Sequence, residues 1–184
     1  MRIISGCRRG HKLYEFDGMD VRPTTDRVKE SMFNLIQDYV QGARVLDMFA
    51  GSGALSLEAL SRGAESAVLT DADRRSVNII EKNIAALRFE DLCTVRNVSC
   101  FDYAAECAEE FDLIFLDPPY NKGFIEPVLD MIVRNRLLSG EGIIVLESDS
   151  TDFKDPTDSL EIIKQKRYGR SFITVYRLAK KQDG

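Results

Sequence analysis

Residues 45–56, with the sequence VLDMFAGSGALS, indicate the fold of this 184-residue chain. A short apolar strand runs into a turn that contains Gly51 and Gly53, and a helical pattern begins directly after it. Glycine lets the backbone come close to a ligand, and the first turn of a helix offers unpaired N–H groups. The stretch therefore predicts a ligand-binding strand–turn–helix unit, although a tight turn with no ligand would use the same residues.

Short runs rich in β-branched residues continue along the rest of the chain. They cover residues 43–49, 66–70, 94–96, 112–116, 142–146, 162–168 and 171–178. Longer amphipathic segments separate the first five runs, and one of them places Val77, Ile80, Ile84 and Leu87 on a single helical face. This alternation predicts an α/β fold with a mostly parallel, seven-stranded sheet and crossover helices. The last two runs flank a short turn, which predicts an antiparallel hairpin at the carboxyl-terminal edge.

The first 42 residues have a different pattern. Two short runs on either side of a loop from Gly6 to Gly10 predict a small β-hairpin. A helical stripe then follows, with Thr24 or Thr25 as its N-cap, and consists of Val28, Met32, Leu35, Ile36 and Tyr39. We expect residues 1–42 to form an extension of a single domain that covers residues 43–184.

Composition and charge restrict the classes of function. The chain has 25 Lys and Arg against 30 Asp and Glu, a net charge of −5, which excludes nucleic-acid binding by bulk positive charge. A local basic patch is not excluded, because residues 1–13 contain four cations and no acidic residue. No apolar run has the length of a signal peptide or a membrane span. Four cysteines without a C-x-x-C pair, and a single histidine, predict no metal site and a cytoplasmic protein with reduced, mostly buried thiols.

Asp71 is the second feature of the predicted ligand site. It ends the strand at residues 66–70 and lies 20 residues after Gly51, a spacing at which an acidic side chain commonly binds a ribose. A helix N-cap or an exposed carboxylate is the alternative, because Asp73 follows closely. Ser56 stands where the dinucleotide fingerprint has its third glycine, which disfavours NAD. Together these features suggest a cofactor that contains a nucleoside.

Residues 117–120, Asp-Pro-Pro-Tyr, form the most specific motif. They follow an apolar strand, and the two prolines hold an acid and an aromatic ring in a stiff, extended loop. A plain loop with no function would have the same prolines. The position after a buried strand, with the glycine turn upstream, favours an active-site loop.

The sequence resembles the class I S-adenosylmethionine-dependent methyltransferases that act on exocyclic amino groups, through the motifs at residues 49–53 and 117–120. More closely, it is similar to the bacterial 16S rRNA guanine-N2 methyltransferases, and this similarity extends to residues 22–33, residues 55–64 and the pair Tyr168–Gly169. The resemblance implies a Rossmann-like fold and methyl transfer from S-adenosyl-L-methionine to a guanine of 16S rRNA. The net charge of −5 and the cost of flipping a stacked base favour a small ribosomal subunit or an assembly intermediate as the substrate, and we expect a monomeric enzyme.

The resemblance also implies roles for individual residues. Asp117 and the Pro118 carbonyl would accept the amino hydrogens of the base, and Tyr120 would stack on it. The implied cofactor contacts are Thr24, Asp47, Ala50, Gly51, Gly53, Asp71, Ser99 and Cys100. The charge pattern, and not the resemblance, suggests a modest phosphate-binding patch of Arg2, Arg8, Arg9, Lys12, Arg22, Arg27, Lys122 and Arg170, with an ordinary solvated hairpin as the alternative. The candidate RNA contacts are Arg8, Arg9, Arg22, Pro119 and Lys122. The family usually has Glu where this chain has Asp71, and Asp or Asn where it has Ser99.

Three other functions compete with this interpretation. One is a different amino methyltransferase, acting on adenine N6 in DNA or RNA or on a protein glutamine. Another is a nicotinamide-dependent oxidoreductase, which shares the glycine turn and the acid that follows it but gives the Asp-Pro-Pro-Tyr loop no task. The last is a catalytically silent RNA-binding module, which the intact Asp117 and Tyr120 disfavour.

Overall fold

The computed structural model describes residues 1–16, 26–119, 123–151 and 158–180. The strands are β1 (Arg44–Asp47), β2 (Ser66–Thr70), β3 (Cys93–Arg96), β4 (Phe111–Leu116), β5 (Leu138–Ser148), β6 (Leu160–Tyr168) and β7 (Ser171–Leu178). The α-helices are α1 (Asp26–Leu35), α2 (Ala54–Ser61), α3 (Arg74–Leu87), α4 (Cys100–Glu106) and α5 (Ile125–Arg134). Two 3-10 turns, Gln37–Tyr39 and Glu90–Leu92, complete the described elements.

All seven strands form one sheet in the order β3-β2-β1-β4-β5-β7-β6. Strands β1 to β5 pair in parallel, whereas β7 pairs antiparallel with both β5 and β6. The predicted α/β class, the seven-stranded, mostly parallel sheet and the antiparallel carboxyl-terminal hairpin are confirmed.

Helices cover both faces of the sheet. Side chains of α1, α2 and α3 pack on one face with Val45, Leu69 and Phe115, and side chains of α4 and α5 pack on the other with Leu46 and Ile114. The predicted stripe of α3 is buried as expected, and Asn83 lies within it, completely buried. Within the described ranges no helix has the length and apolar character needed to cross a membrane.

The amino-terminal hairpin exists as a single antiparallel bridge between Arg2 and Lys12. Ile3 and His11 are joined by a backbone hydrogen bond of 2.9 Å. The predicted helix is present, but it ends at Leu35, so Tyr39 lies in a 3-10 turn and the expectation that it continues the helical stripe is wrong. Thr24 and Thr25, the predicted N-caps, lie outside the described residues.

All four cysteines are free thiols, as expected. Cys100 is buried and Cys93 and Cys107 are partly buried, whereas Cys7 is exposed in the amino-terminal loop. The expectation of mostly buried thiols therefore fails at Cys7, because the loop from Gly6 to Gly10 lies on the surface.

A buried ion pair attaches the extension to the domain. The Lys29 ammonium of α1 lies 3.1 Å from the Glu58 carboxylate of α2, and both side chains are completely buried. Glu58 also accepts hydrogen bonds from the backbone N–H groups of Ile4 and Ser5 and from Arg62. Lys29 donates a further hydrogen bond to the Arg2 carbonyl. Burial lowers the pKa of Lys29, and the charge of Glu58 opposes that shift.

We predict that Glu58→Gln costs about 3–5 kcal/mol of unfolding free energy, because it leaves the buried Lys29 cation without its counter-charge. Urea unfolding measures this cost. In a Lys29→Met background the same substitution should cost clearly less, because no buried cation remains. Equal costs in the two backgrounds would show that the ion pair does not couple the two helices.

Candidate functional site

The candidate site lies at the point in the sheet where the order of the strands reverses. From β1 the chain moves outward to β2 and β3, and it then crosses back to β4 on the other side of β1. The loops after β1 and β4 therefore diverge from adjacent parallel strands, and Asp47 is in register with Phe115. In open α/β sheets this arrangement makes a crevice at the carboxyl ends of the strands, where ligands bind.

The glycine turn after β1 is held by Asp71 at the end of β2. One carboxylate oxygen of Asp71 accepts a hydrogen bond of 2.9 Å from the Gly51 N–H, and the other accepts one of 2.8 Å from the Asp73 N–H. The spacing of 20 residues that suggested a ribose contact thus corresponds to direct contact between Asp71 and the turn. A carboxylate has about four acceptor positions, so Asp71 can still accept hydroxyl groups of a ligand.

Gly51 and Gly53 have different surroundings, although both have positive φ. A Cβ added at Gly51 would meet no atom within 4 Å, so this side of the turn faces open space. A Cβ added at Gly53 would lie 3.1 Å from a Leu69 methyl and 3.3 Å from a Leu57 methyl, so Gly53 allows α2 to pack on β2. Ala50 joins this turn to β2, because its N–H donates to the Thr70 carbonyl. The space beside Gly51 fits a ligand that lies along the turn.

Asp47 is a buried carboxyl group with one unsatisfied oxygen. Ser56 donates to Oδ2 at 3.1 Å, whereas Oδ1 is buried and has no hydrogen-bond partner. Burial raises the pKa of Asp47 to about 7, with a smaller contribution from the Asp71 charge. The hydroxyl of Ser56, where the dinucleotide fingerprint has glycine, is thus a hydrogen-bond donor to this carboxyl group. An orphaned acceptor next to the glycine turn fits a ligand with an N–H or ammonium group.

Ser99 has a structural task. It is the N-cap of α4: its hydroxyl accepts from the Asp102 N–H at 3.1 Å and lies 2.7 Å from the Asp102 carboxylate. Cys100 is buried next to it, and burial raises the pKa of its thiol to about 11. Asn97 bonds through its side-chain amide to the Asp71 and Ala72 carbonyls, which ties this loop to the end of β2. A contact of Ser99 or Cys100 with adenine stays a prediction.

Asp117 follows β4 directly, at the level of the crevice. Its side chain is half-buried, Pro118 is buried and Pro119 is exposed. The loop therefore extends from the core to the surface within three residues. Tyr120 and Lys122, like Thr24 and Arg22, lie outside the described residues.

Three aromatic rings, which we call the aromatic wall, connect the loops around the crevice. The centroid of the Phe124 ring lies 5.9 Å from that of Phe49 and 5.7 Å from that of Phe101. Phe49 precedes the glycine turn, Phe101 follows Ser99, and Phe124 precedes α5. None of the three was a predicted site residue, although Phe49 and Phe101 are each adjacent to one, Ala50 and Cys100, and Phe124 lies two residues after Lys122. The wall therefore packs the segments that follow β1 and β3 against the start of α5.

Arg8 and Arg9, both predicted to contact RNA, have different environments. The Arg8 Nε donates to the Leu87 carbonyl at 2.6 Å, and its guanidinium lies 5.3 Å from the centroid of the Phe89 ring. Arg8 thus fixes the amino-terminal loop to the end of α3. Arg9 is exposed. The loop also contacts Ser61 at the carboxyl end of α2, so both arginines lie toward the amino ends of the strands, at the sheet edge opposite to the crevice.

Asn83 joins the extension to the glycine turn. Its side chain accepts from the Tyr14 N–H at 2.7 Å and donates to the carbonyls of Tyr14 and Ser52, at 3.0 and 2.9 Å. Asn83 was not among the predicted site residues. A polar side chain on the apolar stripe of α3 was the signal, because a buried amide needs partners.

Comparison with known proteins assigns the family. A family model described as "Conserved hypothetical protein 95" matches residues 1–177. The chain belongs to this family. It is 40% identical over 149 residues to "Ribosomal RNA small subunit methyltransferase D" of Escherichia coli (strain K12), covering 81% of this chain and 75% of that protein. It is 34% identical over 181 residues to the protein of the same name from Haemophilus influenzae, covering 97% and 92%.

A solved structure described as "Putative methyltransferase yhhF from Escherichia coli" has the same fold. It aligns with a TM-score of 0.88 and 34% identity, covering 98% of this chain and 99% of that one. The fold is therefore that of the class I methyltransferases, with a Rossmann-like sheet, as the resemblance implied. This member of the conserved hypothetical protein 95 family thus has this fold, and its crevice lies at the point between β1 and β4 where the strand order reverses.

We predict that Gly51→Ala weakens binding of S-adenosylmethionine more than tenfold, because the new methyl group occupies the open side of the turn. Gly42→Ala is the matched control: Gly42 also has positive φ and open surroundings, but it precedes β1 at the opposite edge. Both variants should lose a similar 1–2 kcal/mol through backbone strain, so only the binding should differ. Calorimetric titration measures the affinity for S-adenosylmethionine. Equal affinities of the two variants would refute binding of the cofactor beside Gly51.

The raised pKa of Asp47 predicts a pH effect on stability. Its folded pKa of about 7 exceeds the unfolded value of 3.8, so its contribution is complete below about pH 4 and is lost as the pH rises through 7. The unfolding free energy of the ligand-free protein should therefore fall between pH 5 and pH 8, by at most about 3–4 kcal/mol from this group. Asp47→Asn removes the titration, so urea unfolding of that variant should show a smaller fall. Parallel pH profiles would show that Asp47 is not the titrating group.

Proposed function

We propose that this chain transfers a methyl group from S-adenosyl-L-methionine to the exocyclic N2 amino group of a guanine in 16S rRNA. The observation that carries the proposal is the position of Asp117. It is the first residue after β4, and β4 is the parallel neighbour of β1, which the glycine turn follows. An acidic loop thus opens into the same crevice as a turn suited to a nucleoside cofactor. The relatives named as small-subunit rRNA methyltransferases support this assignment.

The residues around the glycine turn fit S-adenosylmethionine. When bound, the cofactor supplies a methyl group attached to a positively charged sulfur. Asp47 has a buried, unsatisfied oxygen that would accept a hydrogen bond from the amino group of the methionine part. Asp71, already bonded to the Gly51 N–H, would accept the ribose hydroxyls. Ala50 and the open side of Gly51 would lie along the cofactor, and Gly53 would contribute its backbone.

The loop after β4 would position the substrate amine. The amino nitrogen of guanine is a poor nucleophile because its lone pair is delocalised into the ring. Hydrogen bonds from its two hydrogens to the Asp117 carboxylate and the Pro118 carbonyl would favour a pyramidal nitrogen and direct the lone pair toward the methyl group. Asp117 would also stabilise the positive charge that develops on nitrogen and accept the proton, directly or through water.

The same loop would hold the base. Tyr120 would stack on the flipped guanine, an interaction worth roughly 1–3 kcal/mol. Pro119, exposed at the end of the loop, and Lys122 would face the RNA next to it.

The proposed substrate is RNA within a small ribosomal subunit or its assembly intermediate. A chain of net charge −5 binds free RNA weakly, and a particle that presents an unpaired guanine spares a few kcal/mol of base flipping. Arg9 and Arg22 would contact phosphates, with Arg8 supporting the loop that carries Arg9. We propose that the protein acts as a monomer in the cytoplasm, where ribosomes assemble, and without a metal. Within the described residues no cluster of three metal-ligating side chains occurs.

The relatives also bear on the competing functions. Two relatives at 34% and 40% identity are named as methyltransferases, which favours methyl transfer over hydride transfer. The Asp-Pro-Pro-Tyr loop alone does not distinguish guanine N2 from adenine N6 or glutamine. The choice of guanine in 16S rRNA therefore depends on the resemblance over the whole chain and needs a direct test.

The decisive experiment incubates the purified protein and S-adenosylmethionine with small subunits from cells that lack it, and in parallel with the same 16S rRNA free of protein. Mass spectrometry of RNA digests should show one N2-methylguanosine, formed much faster in the particle. N6-methyladenosine, or no methylation of either RNA, would contradict the proposed activity. Equal rates on the two substrates would contradict the ribonucleoprotein substrate.

We predict that Asp117→Ala lowers the single-turnover rate of methyl transfer by about 10²–10³, as loss of a preorganised charge-stabilising group does. The affinity for S-adenosylmethionine should change little, because the proposed hydrogen bonds of Asp117 are made to the amine. Asp149→Ala is the control, since Asp149 is an exposed acid just after β5 at the same edge of the sheet. An Asp117 variant with half the normal rate would exclude this role.

A further inference from the structure

Positive charge is concentrated at the carboxyl-terminal end of the sequence. Residues 162–180 contain no acidic residue, in a chain with 30 of them and a net charge of −5. The cations of this segment are Lys164, Lys166, Arg167, Arg170, Arg177 and Lys180. The first five lie on the hairpin of β6 and β7, whereas Lys180 follows β7, and β6 is the edge strand of the sheet.

The topology places the tip of this hairpin beside the active-site crevice. Strand β7 runs antiparallel to β5, and Phe172 pairs with Ser148 at the carboxyl end of β5. The turn between Tyr168 and Ser171 therefore lies at the sheet edge from which the Gly51 turn and the Asp117 loop emerge. Strands β7 and β6 are two and three positions from β4, which corresponds to roughly 10–14 Å at about 4.8 Å per strand.

Some of these cations serve the fold. Lys164 donates to the Leu35 carbonyl at the end of α1, and Arg177 pairs with Glu161 on β6. Arg167 donates to the Gly169 carbonyl at 3.0 Å and lies over the Phe172 ring, so it shapes the turn. Gly169 has a φ of +62°, which a turn at this position requires.

Lys166 and Arg170 remain at the tip, and we call them with Tyr168 the hairpin-tip surface. The Lys166 ammonium lies 5.6 Å from the centroid of the Tyr168 ring, and both Lys166 and Arg170 are exposed. Neither cation has an acidic partner among the described residues. Lysines on an edge strand also prevent strand pairing between molecules, but this effect does not explain an arginine in the turn.

We propose that the hairpin-tip surface binds backbone phosphates of the RNA strand that carries the target nucleotide. This inference rests on the proposed function, since a base that enters the crevice brings its flanking phosphates over the same edge of the sheet. Phosphate contacts fix the register and orientation of a nucleic acid on a protein. Two cations at the tip of strands two and three positions from β4 would hold the RNA strand on the side opposite to the glycine turn.

The test compares two double variants that remove the same charge at opposite edges of the sheet. Lys166→Gln with Arg170→Gln changes the hairpin-tip surface. Arg136→Gln with Lys180→Gln is the control, because both residues are exposed and lie before β5 and after β7, at the other edge. S-adenosylmethionine affinity and the urea midpoint are measured first, and all variants should match the original protein.

The hairpin-tip variant should raise the KM for unmethylated small subunits about tenfold and leave kcat unchanged. The slope of log affinity against log salt should decrease in magnitude by about 1.4–1.8 for two lost phosphate contacts. The control variant should show neither change. Arg170→Gln alone should give about half of the slope change, and it keeps the inference testable if the double variant unfolds.

Three results would count against these ideas in different ways. Identical KM and salt slope in the hairpin-tip and control variants would overturn the inference while leaving the proposed function intact. Weaker binding to subunits with unchanged binding to protein-free 16S rRNA would also overturn it, because the partner would then be a ribosomal protein. Salt-dependent RNA binding through the tip, without any methyl transfer, would support the surface and overturn the proposed function.

Discussion

The buried carboxylate of Glu58 joins the amino-terminal segment, α1 and α2 at one point of the core. It faces the Lys29 ammonium, accepts two backbone N–H groups of the amino-terminal segment and bonds to Arg62 on its own helix. Its helix, α2, begins at the glycine turn, so the helix that forms one side of the crevice also anchors the extension. The extension returns to the same turn through Asn83, which bonds to both Tyr14 and Ser52. The described residues 1–16 and helix α1 are thus joined by buried polar contacts to the helices and the turn that border the crevice.

Much of the fold follows from local sequence, because period and turn chemistry are local properties. The β-branched runs, the glycine turn and the closing hairpin predict the seven strands, and the structure confirms them. The contacts that depend on long-range packing did not follow in the same way. Lys29, Glu58 and Asn83 are polar residues on apolar faces, a pattern that indicates buried partners but does not identify them. The end of α1 at Leu35 was also missed, since Tyr39 has the same helical spacing as Leu35 and Ile36.

In the candidate site, too, some features follow from the sequence and others depend on packing. Asp47, Gly51 and Asp71 converge because the motif residues follow adjacent parallel strands, and topology brings such ends together. The different surroundings of Gly51 and Gly53 are not visible in the sequence, since both glycines belong to one motif. Ser99 illustrates the limit of transferring a role by position. Its hydroxyl caps α4 through Asp102, and an N-cap of this kind is a frequent use of serine in any protein.

A protein with an acidic net charge can recognise RNA when its cations are grouped in segments that contain no acidic residue. The two acid-free segments, residues 1–13 and 162–180, lie at opposite ends of the chain. The sheet returns the second segment to the edge where the crevice opens, because β7 runs back antiparallel to β5. A mostly acidic remainder repels RNA that approaches in other orientations, which lowers non-specific binding. Because each basic segment neutralises only a few phosphates, neither binds tightly alone, and strong binding requires an RNA surface that meets both at once. A folded ribonucleoprotein presents such a fixed surface, whereas a flexible free RNA would first lose conformational entropy to adopt it.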